Sequence, residues 1–194
     1  MSTLSPIPPG PLTVAEFLDW AAKEDVDRVE LVDGEVVAMA GGTKRHARAK
    51  RNVDDALSVA LEKASPHCAS FLDDVSVQVG EKTIYYPDVV VDCDGNTDLD
   101  ARQAGEPVIV VEVLSKTTAG YDRGAKLADY FRVPSIVHYL IVDAVRQRII
   151  HHRRKGEEIA TSIAFDGALT LDPPGIIVDI ADFWRGLGLR EDMP

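Results

Sequence analysis

"TIYYPDVVVDCDG" (83–95) sets a problem that decides how the chain is read. Three successive valines, Val89 to Val91, read as a strand entering a core, yet Pro87 and Asp88 introduce them. A buried carboxylate costs several kcal/mol unless something compensates it. The same problem recurs in "PVIVVEVLS" (107–115), a continuous apolar run with Glu112 inside it. Such a run suits a central strand covered on both faces. Side chains two apart share a face, so Glu112 lies with Val110 and Leu114, and Asp88 with Val90 and Asp92. Neither acid has an adjacent Arg or Lys in the sequence. If the two strands are neighbours, the carboxylates stand a few ångströms apart. Two like charges ~5 Å apart at an effective dielectric near 20 repel by roughly 3 kcal/mol. The pair then needs a shared proton, a cationic side chain or a metal ion.

The segment that follows offers a cation. In "TTAGYDRGAKLADYFRV" (117–133), a loop and then a helix over roughly 121–132, Asp122, Lys126 and Tyr130 stand at i, i+4 and i+8 on one stripe. Carboxylate oxygens are hard ligands suited to Mg²⁺ or Mn²⁺. A metal held by two acids could polarise a phosphodiester, and a lysine beside it could orient water or stabilise transition-state charge.

The remaining elements give the architecture. "TVAEFLDWAAKED" (13–25) opens on a capping box, Thr13 with Glu16, and predicts a helix over 14–24. "DRVELVDGEVVAMA" (27–40) is two β-rich runs around Asp33-Gly34, a hairpin signal. Residues 43–64 form a long amphipathic helix with a basic first half. Val75, Val77 and Val79 alternate as a strand, and "IVHYLIVD" (136–143) reads as another central one. "RQRIIHHRRK" (146–155) and "EEIATSIAF" (157–165) look like later antiparallel strands, and "GIIVDIADFWRGLGL" (175–189) an extended segment and a short helix. No repeat or internal linker divides this order, which predicts an α/β domain, a mixed sheet flanked by helices. Residues 1–12 read as a Pro-rich arm and 13–194 as one domain.

Bulk properties narrow the partners. No apolar run reaches the ~18–20 residues of a membrane span, and the start lacks the pattern of a signal peptide. Cys68 and Cys93 are read as buried small hydrophobes in a reducing cytoplasm. The formal net charge of −11 counts against nucleic-acid binding driven by overall charge. Local basic stretches run the other way. In "KRHARAKR" (44–51), Lys44, Arg48 and Arg51 share about one helical face with Arg45 beside them, able to neutralise phosphates or to pair with the chain's own acids. His151 and His152 point to opposite faces of a strand and read as surface residues, and His67 and His138 show no partner pattern.

Taken together and in order, "ELVDGEVV", "YYPDVVV", "VIVVEVLSKTT", "DRGAKLADYFRV" and "VHYLIVD" resemble the Uma-type restriction endonuclease family, within the PD-(D/E)XK nuclease superfamily. The resemblance runs from about residue 13 to 184. It implies a restriction-endonuclease-like fold, an Mg²⁺- or Mn²⁺-dependent endonuclease activity and a DNA substrate. Asp88 matches the aspartate of the PD half-motif and Glu112 the second acid, which makes them the metal ligands. The usual lysine would stand two residues after Glu112, where this chain has Leu114. Lys126 matches a lysine moved onto the following helix, and Lys116 is the second candidate. Glu30 matches a recurrent glutamate that could complete the metal shell. His46 matches a frequent histidine that could contact phosphate. Glu35 reads as surface, and Tyr130 as core packing. A homodimer suits cleavage of both strands of a duplex. Two other readings stand beside this one. One is a degenerate nuclease fold that keeps the acids and lysine as ion pairs in a binding or assembly module; the other is a nuclease for RNA or for branched or single-stranded DNA.

Overall fold

The computed structural model describes residues 8, 10–24, 26, 28–39, 41–95, 98–114 and 123–188. Helix α1 (Val14–Glu24) starts at the expected box: the Thr13 N–H donates to Glu16 Oε2 at 2.8 Å, and the Glu16 N–H donates to Thr13 Oγ1 at 3.3 Å. Strands β1 (Val29–Val32) and β2 (Glu35–Ala38) pair as the hairpin, with Asp33 at φ 50° and Gly34 at φ 87°. Positive φ at both turn positions is the geometry that matches strand twist. Gly34 also lies against the preceding segment, where an added Cβ would meet the Pro11 Cβ at 2.8 Å. That close approach carries Leu12 into a cluster with Phe17, Leu31 and Ile84. The arm expected over 1–12 therefore ends inside the core.

Two sheets follow. β4 (Val77–Gly80) and β5 (Thr83–Tyr85) extend the hairpin into the order β2-β1-β5-β4. β5 was not separable in the sequence, because three residues are too few to display alternation. The larger sheet holds β3 (Ala69–Leu72), β6 (Val89–Asp92), β7 (Pro107–Val113), β8 (His138–Asp143), β9 (Arg148–Lys155) and β10 (Glu158–Ala164), in the order β10-β9-β8-β7-β6-β3. Its β7–β8 pair is parallel and its other pairs antiparallel, so the sheet is mixed, as expected. A parallel pair requires a crossover, and α3 (Arg123–Tyr130) lies in that connection.

Helices cover both faces. Ile109, Val111 and Val113 pack with Val89, Val91 and Leu140 toward α2 (Lys44–Ala64), through its Ala49, Val53 and Leu57. Val110, with Val90, Tyr139 and Ile141, packs on the other side with Tyr130 and Phe131. The carboxyl-terminal hairpin, β11 (Ala168–Leu171) and β12 (Ile176–Asp179), leads into α4 (Ile180–Phe183) against α2. Asn52 Nδ2 donates to the carbonyls of Phe183 and Arg185 at 3.0 and 2.8 Å and anchors that end.

Two expectations are corrected. Cys68 and Cys93 are joined in a disulfide rather than free. The pairing of β3 with β6 sets Ala69 opposite Asp92, so the residues just outside those strands meet although they lie 25 apart in sequence. His151 and His152 are buried, not surface, because β9 is an interior strand with both faces covered. His138 Nδ1 lies 2.8 Å from His151 Nε2, and His152 stacks on Tyr139 at 5.8 Å. Burial pushes both His138 and His151 down to about 4, so the pair is neutral at pH 7.

A cross-link of this span restricts the unfolded chain by about 3 kcal/mol. Reductant should therefore lower the melting temperature of the oxidised wild type by roughly 6–12 °C. A Cys68→Ser, Cys93→Ser double variant should melt near the lower value and be insensitive to reductant; equal melting of oxidised and reduced wild type would contradict this.

Candidate active site

The strand pairing settles the opening problem of adjacency. β6 runs antiparallel to β7 with Val89 opposite Val111, which carries Asp88, one residue earlier, toward the end of β7 that holds Glu112 and Val113. The Val113 N–H donates to Asp88 Oδ2 at 2.6 Å. Asp88 Oδ1 lies 3.2 Å from His46 Nε2 and 3.4 Å from Lys50 Nζ, both on α2. Lys50 Nζ is also paired with Asp73, in the turn after β3. Glu112 Oε1 accepts from Lys126 Nζ at 3.2 Å and from the Tyr130 hydroxyl at 2.9 Å. Lys126 Nζ reaches Glu30 Oε1 at 3.0 Å as well, and that oxygen accepts from the Tyr86 N–H at 3.0 Å.

Helix α3 is held so that Lys126 faces the acids. Tyr130 sits between Tyr85 and Tyr139, with ring centroids 5.4 and 5.1 Å away. The Tyr85 hydroxyl donates to Asp129 Oδ2 at 2.7 Å, and Lys126 Nζ lies 4.7 Å from the centre of the Tyr85 ring. Beyond the helix end, Arg154 of β9 donates to the carbonyls of Phe131, Val133 and Ile136, at 2.7, 3.1 and 3.0 Å. These bonds pin the turns that follow the helix, beyond its last residue Tyr130, to the sheet. On the α2 side, Thr43 Oγ1 accepts from the His46 N–H at 3.2 Å and caps the helix. A Cβ on Gly42 would meet the His46 ring at 2.7 Å, so the absent side chain gives the imidazole its place.

The two acids are driven in opposite directions. Burial pushes Glu112 up to about 7; the charges of Asp88 and Glu30 add to this, while Lys126 and the Tyr130 hydroxyl oppose it. Burial also acts to raise Asp88, but the His46 ring, the Val113 N–H and Lys50 outweigh it and hold the carboxyl below its ordinary value. Without a further cation the site therefore retains one charge firmly and the other weakly. The donor set fits a divalent metal: Asp88 and Glu112 offer hard oxygens from adjoining strands, and burial leaves Glu112 only weakly ionised until a further cation stands beside it.

Of the residues expected from the sequence, Asp88, Glu112, Lys126, Glu30 and His46 come together. Glu30 is buried at this site, and Glu35 is exposed. Lys116 and Asp122 lie outside the described residues. Asp92 turns to the Gly105 and Glu106 N–H groups and holds a loop instead. Lys44, Arg48 and Arg51 are exposed on α2, whereas Arg45 donates to the Leu187 carbonyl at 2.7 Å and braces the carboxyl-terminal segment. Two contributors were not expected. Lys50 stands four residues after His46 on the same helical stripe, a spacing that could have revealed it. Tyr130 packs in the core as anticipated, yet its hydroxyl also serves Glu112.

A sheet of this topology with paired acids and a lysine at one strand end defines a nuclease-like fold. A crystal structure titled as a "putative nuclease" of DUF820 from Anabaena variabilis ATCC 29413 superposes with a TM-score of 0.69 at 14% identity, over 91% of this chain and 99% of that one. The chain belongs to the Uma2 family, described as "Putative restriction endonuclease", whose model matches residues 14–181. Two Synechocystis sp. proteins are similar: sll1609 is 30% identical over 75% of this chain and 82% of its own, and slr1290 29% identical over 94% and 97%.

The pKa directions carry signs that can be tested without a substrate. A Glu112 pKa raised toward 7 from 4.5 means that the unfolded chain loses this proton first, so stability falls as pH rises from about 4.5 to 7. In EDTA, Glu112→Gln should melt above wild type at pH 8, with the gap closing toward pH 4.5. Asp88, held low, contributes stability above its ordinary pKa and loses it on acidification. Asp88→Asn should then be less stable than wild type by about 1–3 kcal/mol at pH 8. Shifts of one sign for both variants would contradict the assignment.

Proposed function

We propose that the chain is a metal-dependent endonuclease that hydrolyses phosphodiester bonds in DNA, with Asp88 and Glu112 holding Mg²⁺ or Mn²⁺. One observation carries this reading: two carboxylates at adjoining strands of an apolar sheet, one of them pushed toward neutrality by burial and by the other acids beside it. A divalent ion bound there supplies Lewis-acid polarisation of the phosphate and acidifies attacking water. The Val113 carbonyl is a third oxygen at the same strand end. Lys126, fixed by Glu30 and over the Tyr85 ring, places a positive charge beside Glu112, where it can orient water or offset charge gathering on the phosphate. Lys50 and His46 do the corresponding work beside Asp88: they keep its carboxylate ionised and can turn toward a phosphate once that charge is otherwise matched.

The exposed Lys44, Arg48 and Arg51 lie on a different stripe of α2 from His46 and Lys50, and offer a basic strip that can hold a nucleic-acid backbone beside the site. RNA or branched DNA would meet the same centre, and a substrate panel separates these from duplex DNA. A cytoplasmic setting accords with a nucleic-acid substrate, whereas the Cys68–Cys93 disulfide is of a kind that persists in oxidising compartments. The bridging of Lys126 between Glu30 and Glu112, and of Lys50 between Asp73 and Asp88, favours one second reading: a self-neutralised site in a binding module.

Metal affinity decides between them. A ligand at 100 times its Kd stabilises by about 2.7 kcal/mol, and ~1 kcal/mol moves a domain of this size by about 2–4 °C. Millimolar Mn²⁺ should raise the wild-type melting temperature by roughly 5–11 °C, and Asp88→Asn should lose the rise. Lys126→Met should keep the rise but lose cleavage of supercoiled plasmid at least about 100-fold, the order seen when one transition-state donor is removed. No metal-induced rise in wild type, or an undiminished one in Asp88→Asn, would favour the binding module.

A further inference from the structure

The larger sheet ends very differently at its two edges. β3 is four residues long and packs beneath α2. β10 is seven residues long, pairs with β9 in unbroken register from Glu158 to Ala164, and has no proline, lysine or bulge. Those are the devices by which proteins blunt an open edge, and β10 has none of them. Its one charge, Glu158, stands at the first position. Ile159 and Ile163 are 42% and 54% exposed.

Which main-chain groups of β10 are unpaired follows from the turn. Lys155 pairs with Glu158 across a two-residue loop, Gly156-Glu157, in which Gly156 has φ 60°. The residues closing such a loop form a hydrogen-bonded pair, and bonded and non-bonded pairs then alternate. Glu158, Ala160, Ser162 and Ala164 therefore turn their N–H and C=O groups to β9. Ile159, Thr161 and Ile163 turn theirs outward. The side chains of these three stand opposite Arg154, His152 and Ile150, and the row Ile163–Ile150–Ile141–Glu112 runs across β10, β9, β8 and β7. The apolar edge thus lies on the α3 face of the sheet, three strands from the acid.

We propose that β10 pairs antiparallel with β10 of a second copy, about a twofold axis at Thr161. The strand is self-complementary in that register. Ile159 lies opposite the second Ile163, Thr161 opposite Thr161, and Glu158 opposite Ala164, so that acids do not meet acids. All three outward residues of each copy enter bonded pairs, giving about six main-chain hydrogen bonds. A shift by one residue would set outward groups against inward ones and reverse the faces. A shift by two would place an isoleucine opposite threonine and leave fewer bonded pairs. A second copy matches this edge in apolar pattern, charge and hydrogen bonding at once.

Sedimentation equilibrium of the full chain, in EDTA and without nucleic acid, tests this independently of the nuclease reading. Wild type at 100 µM should sediment at twice the 21.1 kDa chain mass. Thr161→Pro removes an outward N–H and no ladder bond to β9, and should sediment at the single mass with an unchanged far-UV spectrum. Ile159→Asp with Ile163→Asp, at exposed positions that keep every N–H, should do the same by setting acids opposite acids. If the proline variant loses its spectrum, the aspartate variant decides alone. A wild type of single mass overturns the proposal, and so does a double mass that persists in the folded variants.

Discussion

Two carboxylates on adjoining strands of an apolar sheet are the constraint around which this protein is arranged. Asp88 cannot leave, because its strand turns directly into the core at Val89 and its Oδ2 takes the Val113 N–H. Glu112 cannot leave either, with Val111 and Val113 fixed on the opposite face of β7. Compensation has to be brought in from elsewhere. It comes from α2 as His46 and Lys50, and from α3 as Lys126 and Tyr130. Glu30 of β1 adds a third negative charge that fixes Lys126 yet works against the ionisation of Glu112.

The placement of the lysine explains much of the structure around it. With Leu114 two residues after Glu112, the strand itself supplies no cation. Lys126 comes from a helix of only eight residues, which is too short to be stable by itself. Its position must therefore be enforced by contacts: the Tyr85–Tyr130–Tyr139 row beneath it, the Tyr85 bond to Asp129, and Arg154 at its end. The basic residues of β9 consequently divide their roles, since Arg154 serves the architecture of the site rather than solvent.

The same sheet face extends beyond the site to an edge with different chemistry. Interior strands β8 and β9 bury polar side chains in pairs, as His138 with His151 and His152 with Thr161. β10 carries isoleucines into the open and leaves their main-chain groups unpaired by β9. A pattern that is costly on an isolated chain becomes favourable when a matching edge covers it.

How much of this was legible in the chain depends on the range of the interaction. Local order determined the capping box of Thr13 and Glu16, the Asp33-Gly34 turn, the long basic helix and the doubly covered run at 107–113. Each of these is set by contacts within a few residues. The anomaly of Asp88 and Glu112 was also visible, since an acid inside an apolar strand stands out against its neighbours. Only tertiary structure decided what met what. The register of β3 against β6 made a disulfide of Cys68 and Cys93, two cysteines that read singly as small hydrophobes. The interior position of β9 buried His151 and His152, because strand order determines which faces solvent reaches. Lys50 was lost among similar basic residues; on a helix one stripe faces the sheet and another faces water, and composition cannot tell them apart. Pairings between distant segments, where the charges of this site are balanced, were beyond what any single stretch of sequence contained.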